Sequence, residues 1–417
     1  MLDKDNWQEI FATIRKNKLR TFLTAFGVFW GIFMLVIMLG SGNGLQNGIL
    51  KEFEGTATNS FFMWTQKTSK NYKGMKEGRS YSFNLQDMQA LKQLPELDVV
   101  TAENQLGGYG SNNNVVRGTK TGNFTVFGEF PEKKSIEFVK VVSGRYINHN
   151  DITNCRKVCV IGNKVKQVLF SKTEDALGKY IQVNGIYFMV IGITQSTASG
   201  GQAIEQEQKV FIPFTTFQRA FNYGNKVMWF AIKSKDGIPA SIAEQKAIEK
   251  IKERHKISPD DLTAVGHWNM EEEYNKLSGL FSGIRMLVWF VGTGTLIAGV
   301  IGVSNIMLII VKERTKEIGI KRAIGATPFA ISSQLIIESV FLTSIAGYLG
   351  LLAGIGLLEL ISSILPKEDG SMFQNPEVNI GVAISALFIL ILSGALAGII
   401  PAKKAVSINP VDALRAE

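Results

Sequence analysis

The sequence predicts a membrane protein of four transmembrane α-helices, with a large α+β domain inserted between the first helix and the second. Three observations carry that expectation. The apolar residues, 46% of 417, gather in four blocks, and a long polar region separates the first two. Each block is long enough to cross roughly 30 Å of hydrocarbon at about 1.5 Å per residue. Lysine and arginine cluster beside these blocks, as expected of membrane topology.

An amphipathic segment, residues 1–20, brings Arg15, Lys16, Lys18 and Arg20 up to the first span, 21–44. The apolar core of that span, TFLTAFGVFWGIFMLVIML, is longer than a signal-peptide core of about 7–15 residues. It reads as an uncleaved anchor, although the small residues of LGSGNG leave a cleavage reading open. The second span is 281–311, the third 328–365 and the fourth 378–401. The third exceeds one crossing, so it is expected to tilt, bend or extend beyond the bilayer. Basic residues precede the first span and fill the 312–327 segment, and Lys403, Lys404 and Arg415 lie in the 402–417 tail. The 366–377 loop has only Lys367. The positive-inside rule then places both termini and 312–327 in the cytoplasm, with 45–280 on the far side.

Glycines recur in the spans, including Gly292, Gly294, Gly299, Gly302 and Gly347. Gly350/Gly354 and Gly394/Gly398 are small-xxx-small pairs that permit close helix approach, either within the four-helix bundle or against a second copy. Glu338 and Glu359 lie in the third block, toward its ends, where headgroups and water are expected nearby.

The 45–280 region alternates helical and strand patterns, as for two subdomains. Asn84 is placed to cap a helix over LQDMQALKQL that ends by Pro95. FFMWTQ, DVVTAE, NFTVFGEF, RKVCVIG, KVFIPF and VMWFAIKS read as strands. In KYIQVNGIYFMVIGIT the pair Asn184-Gly185 suits a type I′ hairpin turn. IPASIAEQKAIEKIKERH reads as an amphipathic helix, and Gln195 to Gln208 as a mobile loop.

Several functions are disfavoured. The net charge of +9 is distributed beside the apolar blocks and makes no long stripe interleaved with aromatics, which argues against nucleic acid. Cys155 and Cys159 read as small buried side chains, because four strand residues separate them by about 13 Å, beyond the roughly 7 Å that a disulfide tolerates. His149, His255 and His267 are scattered without metal-ligand spacing. No catalytic motif is visible, and the nearest approach to a Walker A loop, at Gly178-Lys179, has Thr173 and Tyr180 where Gly and Ser/Thr are needed. No cofactor is expected on this chain.

The 312–327 segment is denser in charge than a connection requires. Glu317 and Lys321 stand i,i+4 in the favoured order, and Ile320, Ala323 and Ile324 share a face. Gly325 is placed to stop this helix, Thr327 to cap the next, and Pro328 to occupy its first turn. Such a helix could lie in the headgroups, but Glu313 and Glu317 fit a protein groove better.

ERTKEIGIKRAIGATPFAISSQLIIES resembles the cytoplasmic coupling segment of the FtsX/MacB family of ABC-transporter permeases. NKLRTFLTAFGVFWG resembles the family's entry to the first membrane helix, and PAKKAVSINPVDALRAE its C-terminal tail. GRYINHNDI, KVCVIG, LGKYIQVNGIYFMVIGI and VFIPFTTFQ resemble its periplasmic domain, so the resemblance covers nearly the whole chain. It implies a multi-pass permease of the bacterial inner membrane whose periplasmic domain has porter-like and sabre-like parts. It also implies a homodimer, or a pair with a homologous permease. Glu313, Arg314, Glu317, Ile318, Gly319, Lys321, Arg322, Ile324 and Gly325 would form the segment that docks on an ATPase. ATP and Mg would be bound by that separate ATPase subunit. Its motion would reach the periplasm by mechanotransmission, driving efflux of antibiotics, peptides or toxins with a periplasmic adaptor and a TolC-like outer-membrane channel. Lipoprotein extraction, as by LolC and LolE, and activation of a cell-wall hydrolase, as by FtsX, are the alternatives within the family.

Overall fold

The computed structural model describes residues 18–171, 173–197, 200–364 and 380–408. The expectations for residues 1–17, the 366–377 loop and the tail beyond 408 fall outside them. The chain divides into two compact units. One is Gly48–Gly279, and the other is built from the long apolar helices on either side of it in sequence.

The first helix, α1 (Lys18–Leu50), leads through a 3₁₀ turn to β1 (Ser60–Thr65) and β2 (Phe83–Asn84). Asn84 caps α2 (Leu85–Leu91) in a capping box: its side chain accepts from the Asp87 N–H while Asp87 accepts from the Asn84 N–H. Next come β3 (Leu97–Gln105), β4 (Asn113–Arg117), β5 (Lys120–Glu129), β6 (Val139–Gly144), α3 (His149–Thr153), β7 (Val158–Gly162) and α4 (Asn163–Leu169). Then β8 (Tyr180–Val183) and β9 (Ile186–Ser196) form the expected hairpin, with Asn184 at φ 45° and Gly185 at φ 86°. The unit continues with α5 (Gly200–Glu207), β10 (Lys209–Pro213), α6 (Phe214–Ala220), β11 (Lys226–Val227), β12 (Trp229–Ser234), α7 (Ala240–Arg254) and β13 (Val265–Asn269).

Two cores fill this unit. Strands β3, β12, β1 and β13 make an antiparallel sheet with Phe61, Met63 and Phe230 turned inward, covered by Leu91, Ala243, Ala247 and Ile251 from α2 and α7. Strands β5, β4, β8, β9, β7 and β10 pair in a ring that closes between β10 and β5, and its core holds Val115, Phe124, Val126, Ile181, Phe188 and Ile212. The short ladder Glu103↔Glu129, Asn104↔Gly128 and Gln105↔Phe127 joins the two parts.

Two expectations need correction here. Much of the Gln195–Gln208 stretch is the helix α5, not a mobile loop. Gln206 is buried and hydrogen bonds to Ser196, and the chain at Glu207 seats directly on Gly162, where a Cβ would meet its carbonyl oxygen. A polar composition concealed those tertiary anchors. Cys155 is also not a buried strand residue. It lies in the turn before β7 with φ 46° and is half-buried, whereas Cys159 is fully buried.

Among the described residues, the other unit contains four helices long and apolar enough to cross a membrane: α1, α8 (Met270–Glu313), α10 (Pro328–Ile364) and α11 (Ile380–Val406). The short α9 (Thr315–Ala323) stands between α8 and α10. Val28, Ile32 and Val36 of α1 share one core with Val303 and Met307 of α8, Leu335 and Leu351 of α10, and Leu390 and Ala397 of α11. Phe290, Tyr348 and Phe388 point outward, as hydrocarbon-facing side chains do.

Candidate functional site

The 312–327 segment becomes a short helix because its ends are specified locally. At Arg314 the backbone leaves helical geometry (φ −94°, ψ 13°), which separates α9 from α8. Thr315 turns its hydroxyl back to donate to the Lys312 carbonyl at 2.8 Å. At the other end Gly325 has φ +106°, a region costly for any residue with a Cβ. The Ala326 N–H then reaches the Lys321 carbonyl (3.0 Å) and the Gly325 N–H the Arg322 carbonyl (3.1 Å), the paired bonds of a Schellman stop. The Thr327 hydroxyl accepts from the Ala330 N–H at 3.2 Å and caps α10.

The helix has two unlike sides. Arg314, Ile318 and Arg322, spaced i,i+4, face inward with Gly319. Ile318 is buried in the core shared by the spans. Arg314 Nη1 lies 3.7 Å from Glu338 Oε2 on α10, and its Nε and Nη2 donate to Glu317 at 3.0 and 3.1 Å. Arg322 Nη1 donates to the carbonyl of Val406 at 2.8 Å and also to that of Ile408, at the end of α11. The Val406 carbonyl, the last of α11, lacks an intrahelical partner and lies at the negative end of the helix dipole, so a guanidinium suits it.

The outer side is exposed. Ile320 and Ala323 lie on it, Ile324 is 82% exposed and Phe329 70%. Lys312, Glu313, Lys316 and Glu317 are exposed around it, and Lys321 is half-buried, 3.9 Å from Glu317. The apolar stripe expected of α9 thus faces away from the bundle.

Glu338 was expected near water at the end of its block, but it is 1% exposed and faces Arg314. Glu338 therefore sits among packed helices, with Arg314 beside it in place of water. Glu359 is exposed. A carboxylate inside an apolar run is itself a visible signal, and an arginine at the mouth of the preceding connection is its natural partner. The carbonyl acceptors of Arg322 carry no sequence signal, because any residue supplies one.

The glycine pairs lie where helices touch. A Cβ on Gly350 would stand 2.5 Å from the Phe29 carbonyl oxygen of α1, and one on Gly354 2.8 Å from Val36. On α11, a Cβ at Gly394 would stand 2.1 Å from Thr343 Oγ1, and one at Gly398 3.0 Å from Ile336 Cα, both on α10.

With the fold and this arrangement in view, two family models match. The MacB-like periplasmic core domain covers residues 21–250, more than half of the chain, and the FtsX-like permease C-terminal domain covers 289–410. The chain belongs to the MacB/FtsX permease family. It is a membrane protein with four spans and a periplasmic domain between the first and second. The MacB/FtsX match takes in α9 and both residues of every glycine pair above.

The macrolide export ATP-binding/permease protein MacB of Campylobacter jejuni is 28% identical over 415 residues, which is 98% of this chain and 60% of that protein. The protein of the same description from Campylobacter fetus is 31% identical, over 99% of this chain and 62% of its own. The pyoverdine export ATP-binding/permease protein PvdT of Pseudomonas syringae is 28% identical, over 99% and 60%. The chain thus spans about 60% of the length of these relatives. Among solved structures, the periplasmic region of MacB from Actinobacillus actinomycetemcomitans matches with a TM-score of 0.44 and 19% identity, over 55% of this chain and 97% of that one.

Proposed function

We propose that the chain is the permease of an ABC exporter in the bacterial inner membrane, with both termini in the cytoplasm and an ATPase subunit seated on α9. The observation that carries this reading is the division of α9 into a sealed inner side and an exposed apolar outer side. Ile320, Ala323 and Ile324 form an exposed apolar stripe on α9, Phe329 is exposed at the start of α10, and charges of both signs flank the stripe. That is the anatomy of a protein interface, with an apolar centre and a polar edge. A helix built for the headgroups would favour cations over Glu313 and Glu317.

ATP and Mg would be held by the ATPase subunit, and its closure would move α9 and, through the spans, the periplasmic domain. The permease would act with a second copy, or with a homologous permease, and with a periplasmic adaptor and a TolC-like channel. Its cargo would be an antibiotic, peptide or toxin, since the named relatives export macrolides and pyoverdine.

Ile324→Asp tests the docking. It sets a charge at the centre of the patch without touching the bundle, and loss of a central anchor costs about 2 kcal/mol or more, roughly 30-fold in affinity. The full chain, purified from native membranes in mild detergent, is expected to retain an ABC ATPase that Ile324→Asp loses. Equal retention by both would reject the docking face. Lipoproteins or a cell-wall hydrolase in place of an adaptor and channel would redirect the cargo to the family alternatives.

A further inference from the structure

We propose that Arg314 and Arg322 are not docking residues but the two positioning residues that carry movement of α9 into the membrane helices, with Glu338 receiving it from Arg314. The inference rests on the reading that α9 seats an ATPase.

Apolar burial is non-directional. Ile318 alone would hold α9 near the bundle yet let it roll or slide. Charge-assisted hydrogen bonds and ion pairs fix direction and register as well as distance. Arg314 stands between two carboxylates: it donates twice to Glu317, 45% exposed on the outer edge of α9, and lies 3.7 Å from Glu338, buried in α10. The line Glu317–Arg314–Glu338 therefore runs from the edge of the docking patch into the interior of the bundle. Arg322 makes the second attachment, donating to the Val406 and Ile408 carbonyls at the end of α11.

The two fasteners engage different membrane helices, and α10 and α11 also pack closely on one another at Gly394 and Gly398. A push on the outer face of α9 is thereby delivered to both helices together. The same geometry explains why Arg314 and Arg322 have little to offer a partner: the Arg314 guanidinium is held between Glu317 and Glu338, and that of Arg322 by the Val406 and Ile408 carbonyls. An anchor that merely stabilised the fold would weaken ATPase retention and the ATP response together. A transmitting link weakens only the response.

The test uses the full chain with the ATPase it retains from native membranes, reconstituted in lipid nanodiscs. Deuterium uptake across residues 48–279 is compared with and without Mg-ATP, alongside the amount of ATPase retained. Glu338→Gln, Arg314→Met and Arg322→Met are expected to retain the ATPase within two-fold of the parent. The ATP-dependent change in uptake should fall at least five-fold in each. Combining Arg314→Met with Glu338→Gln should cost no more than either alone, because the two form one link. Should Glu338→Gln fail to fold, Arg322→Met reads the same loss without stranding a buried charge. Loss of the ATPase from these variants would overturn the proposal by making the arginines docking residues or plain anchors, and an undiminished ATP response would overturn it by removing them from the transmission. A parent chain that retains no ATPase would remove the functional reading beneath it, which is a different result.

Discussion

Replacing Lys133 with methionine should destabilise the periplasmic domain by about 3–5 kcal/mol, the usual cost of leaving buried partner charges uncompensated. Lys133 is 2% exposed and lies 2.5 Å from Glu103 and 3.0 Å from Glu137, with its ammonium 4.9 Å from the centre of the Phe62 ring. Glu103 and Glu129 stand directly opposite one another in the β3–β5 ladder, the short seam that joins the two parts of the domain. Two carboxylates so placed would repel if both were ionised. Lys133 offsets the Glu103 charge, helped by the Trp229 indole N–H, which donates to Glu103 at 2.9 Å, while Glu129 shares a hydrogen bond with Tyr146. Without Lys133, Lys209 remains near Glu137, at 3.6 Å. Thiol labelling of buried Cys159 during a thermal ramp, in a Cys155→Ser background, should show the midpoint falling by roughly 10 °C or more. A shift of one or two degrees would mean that the cluster relaxes or hydrates freely.

The same seam has a pH signature. Burial and the opposed Glu103 push the Glu129 carboxyl up to about 8, so it is neutral in the folded domain near pH 7. Its unfolded value is near 4.5. The folded pKa is the raised one, so this contribution is complete below about pH 4.5 and is lost as pH climbs through about 8. The slope approaches about 1.4 kcal/mol per pH unit. Burial pushes Glu137 up as well, but Lys133 and Lys209 outweigh it and hold that carboxyl low, so its contribution is lost only toward acid. Glu129→Gln copies the neutral acid, and it should flatten the fall in stability between pH 5 and 8 while leaving the acid limb unchanged. An unaltered slope would assign the titration to another group.

What was readable in the sequence follows from how local each cause is. The β8–β9 hairpin, the Asn84 cap and the Gly325 stop are each encoded within a few residues by turn and cap chemistry, so they were visible. The spans are visible because a bilayer demands an apolar length that no tertiary contact can replace. The partners of α9 were only half legible. Its charges and glycine stop are local, but which side faces in depends on Glu338 and on carbonyls 84 and 86 residues away from Arg322. The helix α5 was missed for the same reason, since its anchors at Gly162 and Ser196 lie on other elements. Nor could alternating patterns reveal that six strands close into a ring, because closure is a pairing between β5 and β10 far apart in sequence.

Gly350→Leu should leave little recoverable folded permease, and Gly350→Ala should destabilise the bundle by about 1–3 kcal/mol, as overpacking does. Even the alanine methyl would lie 2.5 Å from the Phe29 carbonyl oxygen and 3.3 Å from its carbon. Those are backbone atoms, so no rotamer change relieves the clash, and α1 must retreat from α10. Gly354→Ala meets Val36 Cγ1 at 2.8 Å and Cβ at 3.0 Å, with the nearest backbone atom, the Phe33 carbonyl oxygen, at 3.5 Å, and should be milder. Gly394→Ala meets Thr343 Oγ1 and also Val340 Cα at 2.9 Å, and should approach Gly350→Ala in severity. Gly294 and Gly302 provide the contrast, because nothing among the described residues lies within 4 Å of a Cβ at either. Alanine there should be neutral or stabilising by about 0.5–1 kcal/mol through helix propensity alone. Monodisperse recovery after detergent extraction and the thermal midpoint would rank the six variants from Gly350→Leu through Gly350→Ala, Gly394→Ala and Gly354→Ala to Gly294→Ala and Gly302→Ala. If Gly294→Ala or Gly302→Ala instead lowered recovery or separated copies of the chain, the face they occupy would be one that meets a second permease. Gly294 and Gly302 would then serve assembly, while Gly292 of α8 and the glycine pairs of α10 and α11 serve the packing of a single bundle.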